Sequence, residues 1–436
     1  MNAEPDIDTV RPFTIDIEQE ILDDLVARLD NIRWPDETDG AGWAYGTDLT
    51  YLRELCRYWR DGFDWRRQEA QLNALPNFRT EIDGLGIHFV HVRGQGERPL
   101  PLIATHGWPS TFFELLKLVP LLTAAEGDNG NTYDCFDLVI PSMPGYGFSD
   151  KPRERYLSAR VPAMWVELMS QLGYERFAAH GGDIGGGVTA RIGQQFPERL
   201  VGIHVTNVYG SMGNGTPPSP AELALLEQEQ KWERDEGAYE HQQQTRPQTL
   251  AYGLNDSPVG LAGWMVEKYR AWSDCEGDVE SVFGKDELLT NITIYWATQT
   301  IASSFRPYWD ARNNAEPQLW TMITVPCGVA IFPKDLTTPP REFAERSYNV
   351  QLGGDAARGP LRRTRAARAT RRRHTLVLQR MTLDDVRPGC DRGEHEIEST
   401  SGSETPAKKA LGASHTDPLL TCNSTQTTRN PDLQVF

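Results

Sequence analysis

From Phe78 onward, short apolar runs alternate with stretches of helical length, and this alternation leaves few architectures open. Strands are predicted at Ile87–Val92, Leu102–Thr105, Leu138–Pro141, Phe177–His180, Val201–Val205 and Val325–Phe332, with helices at Phe112–Leu122, Ala163–Leu172 and Gly186–Phe196 between them. A parallel strand pair needs a long crossover connection, which a helix supplies, so the pattern predicts the α/β class with a doubly wound, mostly parallel sheet. Ligands in such folds bind beyond the C-terminal ends of the strands. Between Asn207 and Arg306 the strand pattern stops, and Glu222–Asp235, Trp264–Trp272 and Leu288–Ser304 read as a helical insertion over that edge. Upstream, Ile17–Ile32 places Ile21, Leu22, Leu25, Val26, Leu29 and Ile32 on one helical face and ends at Trp34-Pro35. Leu49–Trp59 is a second amphipathic helix. These two make a helical N-terminal appendage with no core of its own, expected to pack on the sheet-forming region downstream.

Five segments result: residues 1–75 as the helical N-terminal domain, 76–206 as the first part of the core, 207–310 as a helical lid, 311–350 as the rest of the core, and 351–436 as an aberrant tail. Charge separates the last segment from the others. The first 350 residues carry 30 Lys and Arg against 51 Asp and Glu, whereas the final 86 carry 14 against 10. The total of −17 argues against nucleic-acid binding. Met1–Val10 is acidic and polar, so no secretory leader is predicted, and no run of 18 apolar residues predicts a membrane span. Six scattered cysteines without a CxxC pair predict free thiols in a reducing, cytoplasmic setting. No cofactor or metal site is predicted.

The stretch His180-Gly181-Gly182-Asp183-Ile184-Gly185-Gly186-Gly187 lies between a predicted strand and a predicted helix. It fits small-x-nucleophile-x-small, where glycines permit a turn too sharp for bulkier residues, and it puts Asp183 at the nucleophile position. A carboxylate there can attack carbon directly and form an ester. The same residues also fit a glycine-rich turn with Asp183 as N-cap, or a phosphate loop. His106-Gly107-Trp108-Pro109 closes the strand Leu102–Thr105, and Pro144-Gly145-Tyr146-Gly147-Phe148-Ser149 comes after the next one. His106 reads as a support for its loop in preference to a catalytic group. Asp335, just past Val325–Phe332, is either an acid that orients a histidine or a surface loop residue.

Taken together, these motifs resemble the α/β-hydrolase-fold epoxide hydrolases of the microsomal type. The likeness runs from about Pro12 to Asn349 and includes Trp34-Pro35, the Trp43–Tyr45 loop, Phe63-Asp64-Trp65, Ile87-His88-Phe89, Tyr252-Gly253-Leu254 and Asp256-Ser257-Pro258. The resemblance implies Asp183 as nucleophile and Asp335 as the triad acid. It implies two lid phenols on the epoxide oxygen, Tyr239 ahead of Gln244-Thr245-Arg246-Pro247 and Tyr308 in Ser304-Phe305-Arg306-Pro307-Tyr308. Either tyrosine also fits plain core packing. Oxyanion-hole amides would come from Trp108 and Ile184. The implied partner is a small-molecule epoxide, opened to a vicinal diol in detoxification, catabolism of aromatic hydrocarbons or secondary metabolism; homo-oligomerisation is left open. The chain departs from the family in having Ile184 where Trp is frequent and Ser110-Thr111 where Gly-Ser is frequent, and no membrane anchor is expected.

One expected residue is missing. The family's base is a histidine in Gly-Gly-His-Phe-Ala-Ala, some 25 to 30 residues past the acid, yet the first histidine after Asp335 is His374, inside a run from Arg358 to Arg380 with nine arginines and no acid. With free choice among synonymous codons, Asp355–Arg373 read from the second base of each codon can give Met-Pro-Arg-Gly-Gly-His-Phe-Ala-Ala-Leu-Glu-Gln-Pro-Glu-Leu-Leu-Ala-Glu-Asp. That is the missing motif followed by an acidic amphipathic helix, so a one-base frameshift near Gln351 is the expectation, with a disordered tail after it. A haloalkane dehalogenase-like hydrolase and a non-catalytic binding module on the same scaffold are the competing readings. Ile184, Tyr239 and Tyr308 argue against the first, and retention of Asp183, Asp335 and both tyrosines argues against the second.

Overall fold

The structure is a computed structural model that describes residues 9–124, 135–153, 158–210, 217–313, 321–332 and 334–350. The expectations about the tail, the frameshifted segment and His374 lie outside the described residues. In chain order, β1 (Arg11–Pro12) precedes α1 (Gln19–Asp30), α2 (Leu49–Asp61) and α3 (Trp65–Asn73). The hairpin β2 (Asn77–Ile82) and β3 (Leu85–Val92) comes next, then β4 (Leu100–Thr105), α4 (Phe112–Leu115), α5 (Val119–Leu122), β5 (Phe136–Pro141), α6 (Val161–Gln171), β6 (Phe177–Gly181), α7 (Ile184–Gln195) and β7 (Leu200–Val205). Seven helices extend from there: α8 (Pro220–Asp235), α9 (Ala238–Thr245), α10 (Pro247–Asp256), α11 (Pro258–Ala271), α12 (Lys285–Thr298), α13 (Ile301–Ser304) and α14 (Arg306–Asn313). The chain then returns through β8 (Ile323–Val329), α15 (Arg341–Glu345) and β9 (Tyr348–Val350).

All nine strands join one sheet in the order β1-β2-β3-β5-β4-β6-β7-β8-β9. From β5 to β9 the neighbours are parallel, while β1, β2 and β3 add an antiparallel edge. Side chains alternate across the sheet, and the core divides accordingly. Phe89, Ile103, Val139 and Ala179 belong to one buried cluster, and their neighbours Val90, Leu102, Leu138 and Ala178 to a second. The first cluster takes in Trp165 of α6 and Ile192 of α7 together with the helices of the insertion. The second is closed by Phe112, Leu118 and Leu122 and by Ile15, Ile17, Trp65 and Leu72 from the N-terminal region.

Several elements differ from expectation for identifiable reasons. The predicted helix Phe112–Leu122 is interrupted by a 3-10 turn at Leu116–Leu118, because Pro120 has no N–H to give to the preceding turn. The predicted helix Leu288–Ser304 is two helices, since Gln299 adopts a left-handed backbone (φ 52°) that closes α12. The strand expected over Val325–Phe332 spans Ile323–Val329. β2 hides from pattern reading because polar Asn77 and Thr80 occupy buried positions. Asn77 meets that burial by donating to the Leu72 and Leu75 carbonyls and bonding His88 Nε2 at 3.0 Å.

The N-terminal helices also hold the insertion. Trp59 Nε1 donates to Thr293 Oγ1 of α12 at 3.0 Å, Thr47 Oγ1 donates to the Gly263 carbonyl of α11 at 2.6 Å, and the Arg270 guanidinium lies 4.5 Å from the Trp43 ring centre. No helix among the described residues is long and apolar enough to cross a membrane.

Candidate active site

Strands β4 and β6 are neighbours with Thr105 paired to Gly181, so the chain leaves both at the same end of the sheet and brings Gly107-Trp108 against Gly182-Asp183. The turn after β6 is tight. A Cβ on Gly181 would sit 2.1 Å from the Gly185 carbonyl oxygen, one on Gly185 would sit 2.1 Å from the Thr105 oxygen, and one on Gly107 would sit 2.4 Å from the Asp183 Cβ. Asp183 itself has φ 51°, a left-handed backbone rare for a residue with a side chain, and makes no side-chain cap to α7. Asp183 is thus the N-cap residue of α7 by position, but its side chain makes no capping hydrogen bond to the helix.

It points at the preceding loop. The Trp108 N–H donates to Asp183 Oδ1 at 2.7 Å. Asp183 stands exposed on one side, yet the surrounding protein strips enough water from its carboxyl to push its pKa up to about 6. The Trp108 and Ile184 amides pull it back toward ionisation, and the nearby charge of Asp335 pushes it further up. The loop that carries Trp108 is fixed from α12: Asn291 Nδ2 donates to the Pro109 carbonyl at 2.9 Å, Thr111 Oγ1 donates to Asn291 Oδ1 at 2.8 Å, and the Tyr295 hydroxyl donates to the Ser110 carbonyl at 2.9 Å. His106 is fully buried, with Nδ1 3.1 Å from the Gly107 carbonyl and Nε2 accepting from the Met143 N–H at 3.2 Å. Both ring nitrogens are committed to the backbone, and burial holds the pKa down to about 4, so this imidazole is a neutral brace.

Tyr239 on α9 and Tyr308 on α14 face the same place. The Tyr239 ring stacks on the Trp108 indole at 5.1 Å and 7°, and Tyr308 meets both rings edge-on at 6.1 Å. Burial followed by the charge of Asp183 raises the pKa of Tyr239 well above 10. Trp272 and Phe305 complete an aromatic wall around Trp108, each 6.1 Å from it. The bend after β5 anchors the helices that carry Tyr308. The Tyr146 hydroxyl donates to the Ser304 carbonyl at 2.9 Å, and Ser303 Oγ donates to the Gly145 carbonyl at 2.6 Å. Asp335 lies in a loop beyond β8, half-buried, with its N–H donating to the Phe332 carbonyl at 3.1 Å and its Oδ1 accepting from the Leu336 N–H at 2.8 Å. The fold thus gathers Asp183, Trp108, Ile184, Tyr239 and Tyr308, with Asp335 within electrostatic reach of Asp183.

Three neighbours escape sequence reading. Tyr209, just past β7, donates its hydroxyl to the Asp183 carbonyl at 2.7 Å; its place beyond a strand's C-terminal end was the available signal. Glu240 bonds Gln244 Nε2 at 2.7 Å, and burial beside Asp183 pushes its carboxyl up to about 7. Lys268 of α11 is 6% exposed and lies over the Tyr239 ring. Among the described residues no group of three or more His, Cys, Asp or Glu is arranged to hold a metal ion. A cavity of about 720 Å³ lined by Lys151, Tyr252, Asp256 and Arg306 is separate, since no residue of the Asp183 group lines it.

Residues 10–115 match the model of the epoxide hydrolase N terminus, and residues 101–248 match that of the alpha/beta hydrolase fold. A relative from Stigmatella aurantiaca that carries an epoxide hydrolase name is 43% identical over 343 residues, 78% of each chain. Epoxide hydrolase 1 of Sus scrofa is 34% identical over 371 residues, covering 78% of this chain and 82% of its own. Among solved structures, the Aspergillus niger epoxide hydrolase is similar at a TM-score of 0.69 and 30% identity, covering 78% of this chain and 88% of that one. The juvenile hormone epoxide hydrolase of the silkworm Bombyx mori gives 0.68 and 28%, with 78% and 86% covered. With a turn that only glycines permit, an amide-held aspartate beside two phenols of the helical insertion, and these relatives, the chain belongs to the epoxide hydrolase family.

Proposed function

We propose that this chain opens an epoxide through the carboxylate of Asp183. The observation that carries the reading is the Asp183 side chain on its strained turn, 2.7 Å from the N–H of Trp108, the same residue whose indole packs against the rings of Tyr239 and Tyr308. An Asp183 oxygen attacks one ring carbon, the carbon–oxygen bond of the epoxide breaks, and the freed oxygen takes a proton from Tyr239 or Tyr308. The product is a hydroxyalkyl ester. Asp335 is the acid that would orient a base for the second step, in which water attacks the ester carbonyl and the Trp108 and Ile184 amides hold the developing oxyanion. The aromatic wall of Trp108, Trp272 and Phe305 favours an aryl or otherwise bulky epoxide. Cytoplasmic placement is supported by four buried, unbridged cysteines, Cys56, Cys135, Cys275 and Cys327.

The second step needs a base that the stretch from Asp335 to Val350 does not contain. The frameshift near Gln351 accounts for this, and the chain as written then alkylates Asp183 but hydrolyses the ester slowly. Turnover of styrene oxide by this chain, its Asp183→Asn variant and a frame-corrected chain tests the whole reading. Diol should form rapidly only with the frame-corrected chain; rapid multiple turnover by the Asp183→Asn variant would overturn the role of Asp183. An intact reading frame in the gene across codons 345–380, with no single-base change restoring the histidine motif, would overturn the frameshift.

A further inference from the structure

Lys268 is a charged residue in a place where charge is costly. It projects from α11 and is 6% exposed, and the contacts that offset its loss of water are unusual. Its Nζ lies 5.2 Å from the ring centre of Tyr239, 5.6 Å from that of Trp264 and 5.4 Å from that of Trp272, and it contacts the carboxylate of Glu267. A cation within about 6 Å of an aromatic centre is attracted by the negative face of the ring, more strongly where water is excluded. Two of these three rings belong to the site: Tyr239 stacks on Trp108, and Trp272 lies 4.8 Å from Tyr239.

We propose that Lys268 is a positioning residue that acts through Tyr239, its ammonium drawing electron density from the phenol ring and so strengthening the O–H donated to the opening epoxide oxygen. This rests on the roles proposed for Asp183 and Tyr239. The physical need is clear from the surroundings. Asp183 and Glu240 are the negative neighbours of the Tyr239 hydroxyl, with the phenols of Tyr308 and Tyr209 beside it. Burial and both carboxylates oppose any build-up of negative charge on the phenol oxygen as it gives up its proton. A cation over the ring, 5.2 Å from its centre, offsets that opposition through the ring itself. The proton balance is unchanged by Lys268: the phenol proton passes to the epoxide oxygen, and the phenol recovers one from solvent after the ester has formed.

Single-turnover alkylation of Asp183 by styrene oxide in the full chain tests this, read as adduct mass against time over a range of epoxide concentrations. Lys268→Met should slow the saturating rate by about ten- to thirty-fold, the worth of a desolvated cation over a ring. The half-saturating concentration should stay within about two-fold, because the interaction grows only as the proton moves. Lys268→Arg should restore most of the rate. Placing 3-fluorotyrosine, a more acidic phenol, at position 239 should restore the rate of Lys268→Met, a recovery that a merely structural lysine would not produce. Melting curves identify folded variants, and Lys268→Gln replaces Lys268→Met if the latter does not fold. A wild-type rate in the charge-removed variant, or loss that neither arginine nor the fluorinated phenol recovers, would overturn the proposal. The parent reading is judged separately: Asp183→Asn must form no adduct and Tyr239→Phe must be slow. A wild-type rate in Tyr239→Phe would overturn the Lys268 proposal and assign the proton to Tyr308, leaving the role of Asp183 to its own variant.

Discussion

The turn at Asp183 shows how much chemistry three glycines can fix. Gly185 lies so close to the Thr105 carbonyl that a methyl group at 2.1 Å must push two backbones apart. Gly185→Ala is therefore expected to cost about 3 kcal/mol or more, read as a fall in the denaturant midpoint, with loss of adduct formation in whatever remains folded. The pH profile of alkylation is set by the same turn. On the proposed mechanism only the carboxylate attacks, and burial raises its pKa to about 6. The alkylation rate should be level above pH 7 and fall about tenfold per unit below pH 6; a rate that stays level to pH 4.5 would place the nucleophile elsewhere. The glycines and Asp183 were legible in the sequence because their spacing fits such a turn and they share a resemblance with the other motifs, although the spacing alone also fits a phosphate loop. Lys268, Tyr209 and Glu240 were not. Each reaches the site from an element whose position depends on packing, and a lone lysine in a helix reads as a solvated charge.

At the level of elements, the N-terminal segment is bound into the core more closely than two amphipathic helices suggested. Ile15 and Ile17 are buried in the second core cluster. Their backbones are fastened to α3, with Asn73 bonding both the N–H and the carbonyl of Ile15 at 2.9 and 2.8 Å, and Glu69 accepting from the Ile17 N–H at 2.8 Å. Asn73→Ala removes both partners of a half-buried strand of backbone and should cost about 1–3 kcal/mol, measured as a shift in unfolding midpoint against wild type. An unchanged midpoint would mean that the N-terminal segment contributes little to the core. This attachment was not readable from periodicity, because it runs through polar side chains on α3 instead of an apolar stripe. The same limit hid β2, whose buried positions include Asn77 and Thr80. The helical insertion, in contrast, was visible as a break in strand patterning, although its subdivision at Gln299 depends on a single left-handed residue.

For the molecule as a whole, buried imidazoles govern the response to acid. Burial holds His88 and His204 down to about 3, and His91, His106 and His180 down to about 4. His180 and His204 bond through their Nδ1 atoms at 3.0 Å, which requires at least one of the rings to be neutral there. In the unfolded chain these rings take up protons near pH 6.5, so the unfolded state binds more protons than the folded one between about 6.5 and 3–4. Stability is then full above pH 6.5 and is lost as pH falls through that window. Asp183, Glu114 and Glu240 have carboxyls held high and work in the opposite sense, but Asp183 and Glu114 face open space and weigh less. Melting temperatures should drop steadily from pH 7 to 4.5, and a rise over that range would contradict this assignment.

Attack of Asp183 on the epoxide carbon is tested most directly by peptide mass spectrometry after incubation of the full chain with styrene oxide. One added epoxide mass per chain is expected, located on the peptide containing Asp183 and persisting for hours, and none in Asp183→Asn. An unmodified Asp183 peptide under conditions where the epoxide is consumed, or the adduct on another residue, would contradict it.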